Sequence, residues 1–244
     1  MREKVIGILG GMGPEATIDL FAKIVKGTKA KKDQDHLRIL IDNNPKIPNR
    51  TLAILGKGES PLPHLVRSAK TLAKAGVDFI VIPCVTAHHF YGPLQKKIKI
   101  PVVHIVQETR RYLQAHLKEV HTIGLLATTG TLRSGLFQNA FAGSGIEIIS
   151  PPPDLQKYHV MEAIFGKEGI KTIGPSEESK RLMVAAAKRL IGRGAQAIIA
   201  GCTEVPLVLK QGDLPVPVID PVAILAGAAV ERATKGQRRR DRNG

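Results

Sequence analysis

Short apolar runs alternate with segments of helical periodicity along the chain. Many of the runs are hydrophobic at every position, which is typical of strands buried on both faces of a parallel sheet. They predict strands at Lys4–Leu9, Arg38–Ile41, Phe79–Ile82, Val102–Ile105, Thr122–Leu126, Ile146–Ile149, Ala197–Ala200 and Val216–Ile219. The segments between them predict helices at Glu15–Gly27, Leu62–Ala75, Gln107–His116, Arg133–Ala142, Ser176–Gly192 and Pro221–Thr234. This alternation indicates an α/β protein with parallel sheets.

The two halves of the chain repeat each other at a nearly constant offset of 116 to 118 residues. Three pairs of similar segments share that offset: Ile6–Leu9 with Ile123–Leu126, Gly76–Ile80 with Gly194–Ile198, and Pro101 with Pro217. We therefore expect two similar domains, each a parallel sheet flanked by helices, related by a pseudo-two-fold axis.

Each half carries one cysteine at an equivalent place. Cys84 and Cys202 are 118 residues apart, and each follows a predicted strand directly. Sites in open α/β sheets lie at the carboxyl ends of the strands, so two facing domains would bring both thiols to one cleft. A lone free cysteine is usually a small buried hydrophobe, but two at equivalent positions favour an active site.

Two opposed thiols suit the inversion of a carbon atom. One thiolate removes a proton from one face, and the opposite thiol donates a proton to the other. A redox dithiol is disfavoured because the chain has no C-x-x-C motif. A cysteine nucleophile assisted by His88 or His89 remains open. Without a cofactor, oriented donors must stabilise the carbanion, and hydroxyls near the two cysteines and at 128–131 are candidates.

Composition narrows the class of protein. The hydrophobic fraction is 43% and the charged fraction 23%, which is ordinary for a globular protein. The chain has neither a membrane-length apolar run nor a signal-peptide pattern, so we expect a cytoplasmic protein without membrane contact. The net charge of +15 permits nucleic-acid binding, but no nucleic-acid motif accompanies it, so no such partner is expected.

A glycine-rich loop offers a competing interpretation. Gly11–Ala16 follows the first strand and fits G-x-G-x-x-A, a dinucleotide-binding pattern. The acidic residue expected at the end of the next strand is matched only loosely by Asp42. The same loop can equally present backbone N–H groups to a carboxylate.

Several segments together resemble the aspartate racemase branch of the Asp/Glu/hydantoin racemase superfamily. They cover nearly the whole chain up to about residue 234: GGMGPEAT, DNNPKIPNRT, IPCVTAHHF, GLLATTGT, GIK, AGCTEVPLVL and VPVIDP. The resemblance implies a homodimeric, two-domain isomerase that needs neither pyridoxal phosphate nor metal. It implies interconversion of L- and D-aspartate, or glutamate, with Cys84 and Cys202 as the alternating base and acid.

The resemblance also implies the residues that contact substrate. The family's contacts map to Met12, Arg50, Val85, Thr86, Thr128, Thr129, Lys171 and Thr203. Arg50 and Lys171 would bind the side-chain carboxylate of the substrate, although each can also be interpreted as an ordinary surface charge. Glu204 matches an acidic residue that would tune the second cysteine.

One position departs from the family pattern, which reads P-C-N-T-A-H. Val85 stands where the family has asparagine and removes one donor and one acceptor. This leaves a broad-specificity racemase, or another isomerase with the same thiol pair, as an alternative. An alternative of another class is a non-catalytic amino-acid-binding protein.

The repeat also predicts the domain limits. Residues 1–104 together with 218–236 form the first domain, and residues 105–217 form the second. Residues 237–244 form a basic tail that is expected to be disordered.

Overall fold

Two parallel four-stranded sheets form the framework of the molecule. The structure, a computed structural model, describes residues 3–235. The first sheet contains β1 (Ile6–Gly10), β2 (Ile39–Asn43), β3 (Phe79–Val81) and β4 (Val102–Val103), in the spatial order β2-β1-β3-β4. The second contains β5 (Thr122–Leu126), β6 (Glu147–Ile149), β7 (Ala197–Ala200) and β8 (Val218–Ile219), in the order β6-β5-β7-β8. The predicted α/β class with two equivalent parallel sheets is confirmed.

Helices flank both sheets. The first half carries α1 (Pro14–Gly27), α2 (Arg50–Ile54), α3 (Leu62–Lys74), α4 (Tyr91–Gln95) and α5 (Ile105–His116). The second half carries α6 (Thr129–Ser134), α7 (Leu136–Phe141), α8 (Pro153–Leu155), α9 (Glu162–Phe165), α10 (Ile170–Ile173), α11 (Glu177–Ile191), α12 (Val205–Val208) and α13 (Pro221–Thr234). A π-helical turn, Gln156–Met161, joins α8 to α9. The long predicted helices agree within two residues at each end, with one exception.

The exception is the helix predicted at Arg133–Ala142, which is divided in two. Gly135 has a φ of 65° and ends α6, and α7 starts at the next residue. Only glycine adopts this left-handed conformation without steric cost. The helical region also begins earlier than predicted, because the Thr128 side chain accepts a hydrogen bond from the Thr131 N–H and caps α6.

The short helices α2, α4, α8 to α10 and α12 were not predicted. Each spans only three to five residues. One turn is too short to show a 3.6-residue period, so hydrophobic patterning cannot reveal it. These turns matter because they carry several of the side chains between the domains.

The helices that follow the two sheets cross between them. The α5 helix follows the first sheet yet packs against α7 of the second half, and α13 follows the second sheet yet packs against α1. Their apolar faces join one buried cluster that includes residues of both halves. This reciprocal packing fixes how the carboxyl ends of the two sheets face each other.

The strand β8 bears on the predicted domain limits. It pairs with β7 in the second sheet, through Ile198 with Val218 and Ile199 with Ile219. We therefore propose that the chain returns to the first domain after Ile219, two residues later than the predicted boundary at 217. The predicted basic tail, residues 237–244, lies outside the described residues. Within residues 3–235, no helix is long and apolar enough to span a membrane.

Candidate active site

The two cysteines occupy corresponding positions at the carboxyl ends of the sheets. Cys84 follows β3 and Cys202 follows β7, and both line one cavity between the domains. Each is only 5% exposed and neither forms a disulfide. The cleft expected from the repeat therefore brings the two thiols to one place.

The cavity is small and closed on most sides. Its volume is about 10 Å³, which is close to the room that one water molecule needs. Its walls are formed by Met12, Asn49, Arg50, Thr51, Cys84, Val85, Thr86, Thr128, Phe165, Lys171, Cys202, Thr203 and Glu204. An amino acid can enter only if some of these side chains move apart.

Ten of the eleven sequence-predicted site residues lie in this wall, and Thr129 does not. The Thr129 N–H donates to Sδ of Met161 at 3.3 Å, and its hydroxyl accepts from Nε2 of Gln156 at 3.4 Å. Thr129 is the first residue of α6, so its side chain points outward, toward the segment of the π-helical turn. The preceding residue, Thr128, is the one that reaches the cavity.

Sequence reasoning missed Asn49, Thr51 and Phe165 as wall residues. Asn49 caps α2 by accepting from the Leu52 N–H at 3.1 Å, so the asparagine before Arg50 was the available signal. Thr51 enters the wall because α2 packs against α6 at Gly130. Phe165 ends α9, and no local pattern marks it.

Threonine hydroxyls connect the two domains beside the thiols. Thr86 Oγ1 lies 3.0 Å from Thr128 Oγ1 and 2.9 Å from Thr131 Oγ1, and all three residues are buried. From the other side, the Thr203 hydroxyl donates to the Pro83 carbonyl at 3.1 Å. In each domain, the threonine close to the cysteine therefore forms a hydrogen bond with the other domain.

Cys202, Glu204 and Lys171 form a charged cluster on one side of the cavity. The Cys202 thiol donates to Oε2 of Glu204 at 2.8 Å, and Oε1 of the same carboxylate pairs with the Lys171 ammonium. Burial and the Glu204 charge raise the pKa of Cys202 well above its usual value, although Lys171 acts in the opposite direction. Cys202 is therefore held as a neutral thiol at neutral pH.

Lys171 reaches across the cleft from α10. Its ammonium donates to the Met12 carbonyl at 3.1 Å as well as to Glu204. Burial disfavours its charge, but Glu204 and then the two cysteines more than offset this, so the pKa of Lys171 is raised. The side chain is 17% exposed, which shows that Lys171 is not a solvated surface lysine.

One N–H donor of the Arg50 guanidinium is not used by a hydrogen bond to the described residues. Its terminal nitrogens donate to the carbonyls of Ile47, Pro48 and Met12 at 2.9 to 3.3 Å. Its Nε is buried and, among the described residues, has no hydrogen-bond partner. The fixed guanidinium therefore keeps one N–H available for an acceptor.

His88 does not serve Cys84 as a base. Its Nδ1 lies 2.9 Å from the Cys84 carbonyl oxygen, and its Nε2 accepts from the Ile105 N–H at 3.3 Å. Burial and the neighbouring His104 lower the pKa of His88 to about 3. The neutral His88 ring thus links the loop that carries Cys84 to the start of α5 through two hydrogen bonds. The side chain of His89 is exposed. The nucleophile–histidine interpretation finds no support in this geometry.

The glycine-rich loop after β1 faces the same cleft. Gly11 has a φ of 93°, and the Thr17 hydroxyl accepts from its N–H at 3.0 Å and donates to the Gly13 carbonyl. The turn directs the Met12 carbonyl at Arg50 and Lys171. Outside the cavity the loop and α10 border a groove of about 490 Å³. The loop therefore belongs to the wall and entrance of the thiol cavity.

Val85 makes one wall of the cavity apolar. It is 1% exposed and packs in the buried cluster shared by the two halves. Among residues 3–235, no three His, Cys, Asp or Glu side chains are grouped so that they could hold a metal ion.

Comparisons with known proteins agree with this arrangement. The family described as Asp/Glu/Hydantoin racemase matches residues 9–229. A broad specificity amino-acid racemase of Bacillus subtilis is 29% identical over 239 residues, covering 93% of this chain and 96% of that protein.

Solved structures show the same likeness. The aspartate racemase of Picrophilus torridus superposes with a TM-score of 0.82 at 28% identity, covering 94% of each chain. Glutamate racemase of Francisella tularensis shares the fold, with a TM-score of 0.67 at 18% identity over 98% of this chain and 83% of that one. Because the family match runs through both sheets and both cysteine loops, the chain belongs to the Asp/Glu/hydantoin racemase family and is an isomerase of the racemase type.

Proposed function

We propose that this enzyme interconverts the enantiomers of an acidic amino acid, aspartate foremost, with Cys84 and Cys202 as the two acid–base groups. The observation that carries the proposal is the placement of both thiols in one buried cavity, after corresponding strands of two facing sheets. Two thiols placed in this way can remove a proton from one face of an α-carbon and donate a proton to the opposite face.

Each turnover moves two protons. A Cys84 thiolate takes the α-proton of one enantiomer, and the C–H electron pair stays on the carbon as a carbanion. The Cys202 thiol then gives its proton to the other face, which forms the new C–H bond and leaves Cys202 as a thiolate. The reverse reaction starts from that state. The hydrogen bond from Cys202 to Glu204 makes Cys202 the resting acid.

The carbanion is the costly intermediate, and the walls of the site are suited to stabilise it. The cavity has room for about one water molecule, and this low hydration strengthens every electrostatic contact inside it. The hydroxyls of Thr86 and Thr128 stand at the cavity as the proposed donors for the substrate's α-carboxylate, whereas the Thr203 hydroxyl is already bonded to the Pro83 carbonyl. The contact between the Thr86 and Thr128 hydroxyls fixes them, so little reorganisation accompanies the reaction.

Two cationic donors support an acidic substrate. The positive charges of Arg50 and Lys171 balance the negative charges of Glu204 and of the reactive Cys84 thiolate, so the site is neutral before substrate enters. Aspartate has a second carboxylate, and these two side chains can pair with it. The free Nε of Arg50 and the Lys171 ammonium are the donors proposed for the side-chain carboxylate.

Exchange of the α-proton in deuterium oxide tests the proposal. We expect deuterium at Cα of both L- and D-aspartate and eventual loss of optical rotation. An unchanged α-proton in both enantiomers of aspartate and glutamate would refute an acidic-amino-acid racemase. Binding of aspartate without exchange would instead indicate the amino-acid-binding alternative.

Replacement of each thiol tests the mechanism. Cys84→Ser and Cys202→Ser should each lower racemisation by a factor of at least about 10³, because one of the two proton transfers loses its group. The exposed Lys97→Ser is the matched control and should retain activity. Wild-type rates in either cysteine variant would exclude the thiol pair.

A broad-specificity racemase is the second candidate, and Val85 favours it. An apolar wall at this position gives no polar contact that would select one amino acid. The likeness to the Bacillus subtilis broad specificity amino-acid racemase agrees with this alternative. Exchange measured on a panel of uncharged amino acids separates it from an aspartate-selective enzyme.

A further inference from the structure

Residues 127–129 follow β5 and bring Thr128 to the wall of the thiol cavity. The π-helical turn Gln156–Met161 contacts this loop at both ends. Neither Gln156 nor Met161 belongs to the cavity wall. The turn therefore holds the loop from outside the site.

The side chain of Gln156 fixes the first residue of the loop. Its Nε2 donates to the Ala127 carbonyl at 2.9 Å and to the Thr129 hydroxyl at 3.4 Å. Gln156 is 7% exposed and Ala127 is fully buried. A buried carbonyl needs a donor, so this amide sets the orientation of the peptide group between Ala127 and Thr128.

The Gln156 amide fits this place in one orientation. The Ala127 carbonyl can only accept, so Nε2 has to face it. Oε1 is then left buried and, across the part of the chain that the structure describes, without a hydrogen-bond partner. A glutamate would turn a carboxylate oxygen toward the same carbonyl. The position therefore requires the NH₂ group of a glutamine.

Met161, at the other end of the turn, contacts the last residue of the loop. Its Sδ accepts from the Thr129 N–H at 3.3 Å. In an α-helix, two residues five apart point about 140° away from each other. The i→i+5 hydrogen bonds of a π-helix widen the turn and bring such residues toward one side. The π-helical turn thus allows Gln156 and Met161 to contact the same loop.

The loop positions the Thr128 hydroxyl, which has two protein contacts besides facing the cavity. Its Oγ1 lies 3.0 Å from Thr86 Oγ1 of the first domain. It also accepts from the Thr131 N–H and thereby caps α6. A shift of the peptide group at Ala127 would move this hydroxyl relative to the cavity and to both partners.

The first half of the chain has a corresponding contact. Arg50 follows the outer strand β2 and donates to the Met12 carbonyl, in the loop after β1. Gln156 follows the outer strand β6 and donates to the loop after β5, the neighbour of β6. Arg50 also lines the cavity, whereas Gln156 does not. The two halves thus use a cation that faces the cavity and a neutral amide that only holds a loop.

We propose that Gln156 is a positioning residue for racemisation and acts through the Ala127 carbonyl on the Thr128 hydroxyl. The inference rests on the proposed function, in which this hydroxyl binds the substrate's α-carboxylate. Negative charge spreads onto that carboxylate as the α-proton leaves. A displaced donor therefore stabilises the transition state less well.

Substitutions at Gln156 test this role in the full-length protein, below the unfolding transition of each variant. Gln156→Met keeps the length of the side chain without a donor, and Gln156→Glu places an anion against the Ala127 carbonyl. Each should lower kcat/KM for aspartate by at least about tenfold. Lys157→Met is the matched control, because Lys157 is an exposed residue of the same turn, and it should keep the wild-type rate.

A double-mutant cycle with Thr128 distinguishes positioning from a general loss of structure. In a Thr128→Ala background, Gln156→Met should change kcat/KM by less than about twofold, because the hydroxyl that Gln156 positions is gone. In Thr128→Ser, which keeps the hydroxyl, the full effect of Gln156→Met should return. Effects that simply multiply in the alanine background would overturn the proposal.

Hydrogen exchange separates this proposal from the proposed function, since it needs no substrate. In Gln156→Met the Thr129 and Thr131 amides should exchange at least about tenfold faster, with the amides of β5 unchanged. A wild type that racemises no amino acid would refute the proposed function, and the amide exchange would still decide whether Gln156 holds the loop. Wild-type exchange of both amides in Gln156→Met would overturn the positioning role.

Discussion

The Cys202 thiol donates a hydrogen bond to the Glu204 carboxylate, with Sγ and Oε2 2.8 Å apart. The same carboxylate holds the ammonium of Lys171, which comes from α10. One acidic residue thus sets the protonation of a thiol and fixes the cation that crosses the cleft.

Replacing Glu204 should make Cys202 a stronger acid. Burial and the negative charge of Glu204 raise the pKa of this thiol, and Lys171 lowers it. In Glu204→Gln the raising charge is gone and Lys171 remains, so alkylation of Cys202 by iodoacetamide should begin at lower pH. The measurement uses a Cys84→Ser background, in which Cys202 is the remaining cysteine. Glu15→Gln in the outer groove is the control, and a profile that does not move would contradict the assigned role of Glu204.

Val85 should govern substrate selection. Val85→Asn introduces a donor and an acceptor at the cavity wall, so kcat/KM for aspartate relative to alanine should rise by at least about threefold. Because the side chain is packed in the core, we also expect a loss of about 2 kcal/mol in unfolding free energy.

Val85→Ala separates the two effects. It removes packing without adding a polar group, so it should lower stability and leave the substrate ratio unchanged. An equal ratio in the asparagine and alanine variants would show that this position does not select substrate.

His88 should make folding stability sensitive to acid. Its pKa is lowered to about 3 in the folded protein by burial and by His104, against 6.5 for the free side chain. The unfolded chain therefore takes up this proton first as pH falls. The contribution of His88 is complete above pH 6.5 and is lost between 6.5 and about 3, by up to about 5 kcal/mol.

The measurement is the unfolding free energy in urea at several pH values. His88→Asn keeps an N–H donor for the Cys84 carbonyl but does not titrate, so its stability should fall less between pH 6.5 and 4. His89→Asn, at the exposed neighbour, should follow the wild type. Identical pH slopes for His88→Asn and wild type would exclude His88 as the source.

Gly130 should control how closely the domains approach. A Cβ at this position would lie 2.7 Å from Oγ1 and 2.8 Å from Cα of Thr51, so α6 and α2 cannot keep their contact in Gly130→Ala. We expect a loss of about 1 to 3 kcal/mol and a lower kcat, because Arg50 and Thr51 of α2 and Thr128, which caps α6, are residues of the cavity wall.

The control is another helical glycine with open space around it. A Cβ at Gly227 in α13 meets no atom within 4 Å, so Gly227→Ala should be neutral or stabilising by up to about 1 kcal/mol. Differential scanning calorimetry and the racemisation rate measure both effects. Equal behaviour of the two alanine variants would contradict the steric argument.

The sequence by itself determined the long helices and strands and the equivalence of the two cysteine positions. Buried parallel strands and amphipathic helices leave periodic patterns, and the offset between Cys84 and Cys202 reflects a repeated unit. These are local or duplicated features, so they can be read along the chain.

The tertiary structure decided which side chains meet. Thr51 and Phe165 reach the cavity from one-turn helices that have no periodic signal, and Asn49 reaches it from the cap of α2. Thr129 is the first residue of α6 and turns away from the cavity, while the capping residue Thr128 faces it. The resemblance placed both Lys171 and Glu204 at the site, but their ion pair joins residues 33 apart in sequence. Contacts of this kind depend on how helices cross between two sheets, and that packing is a property of the folded molecule that no local pattern encodes.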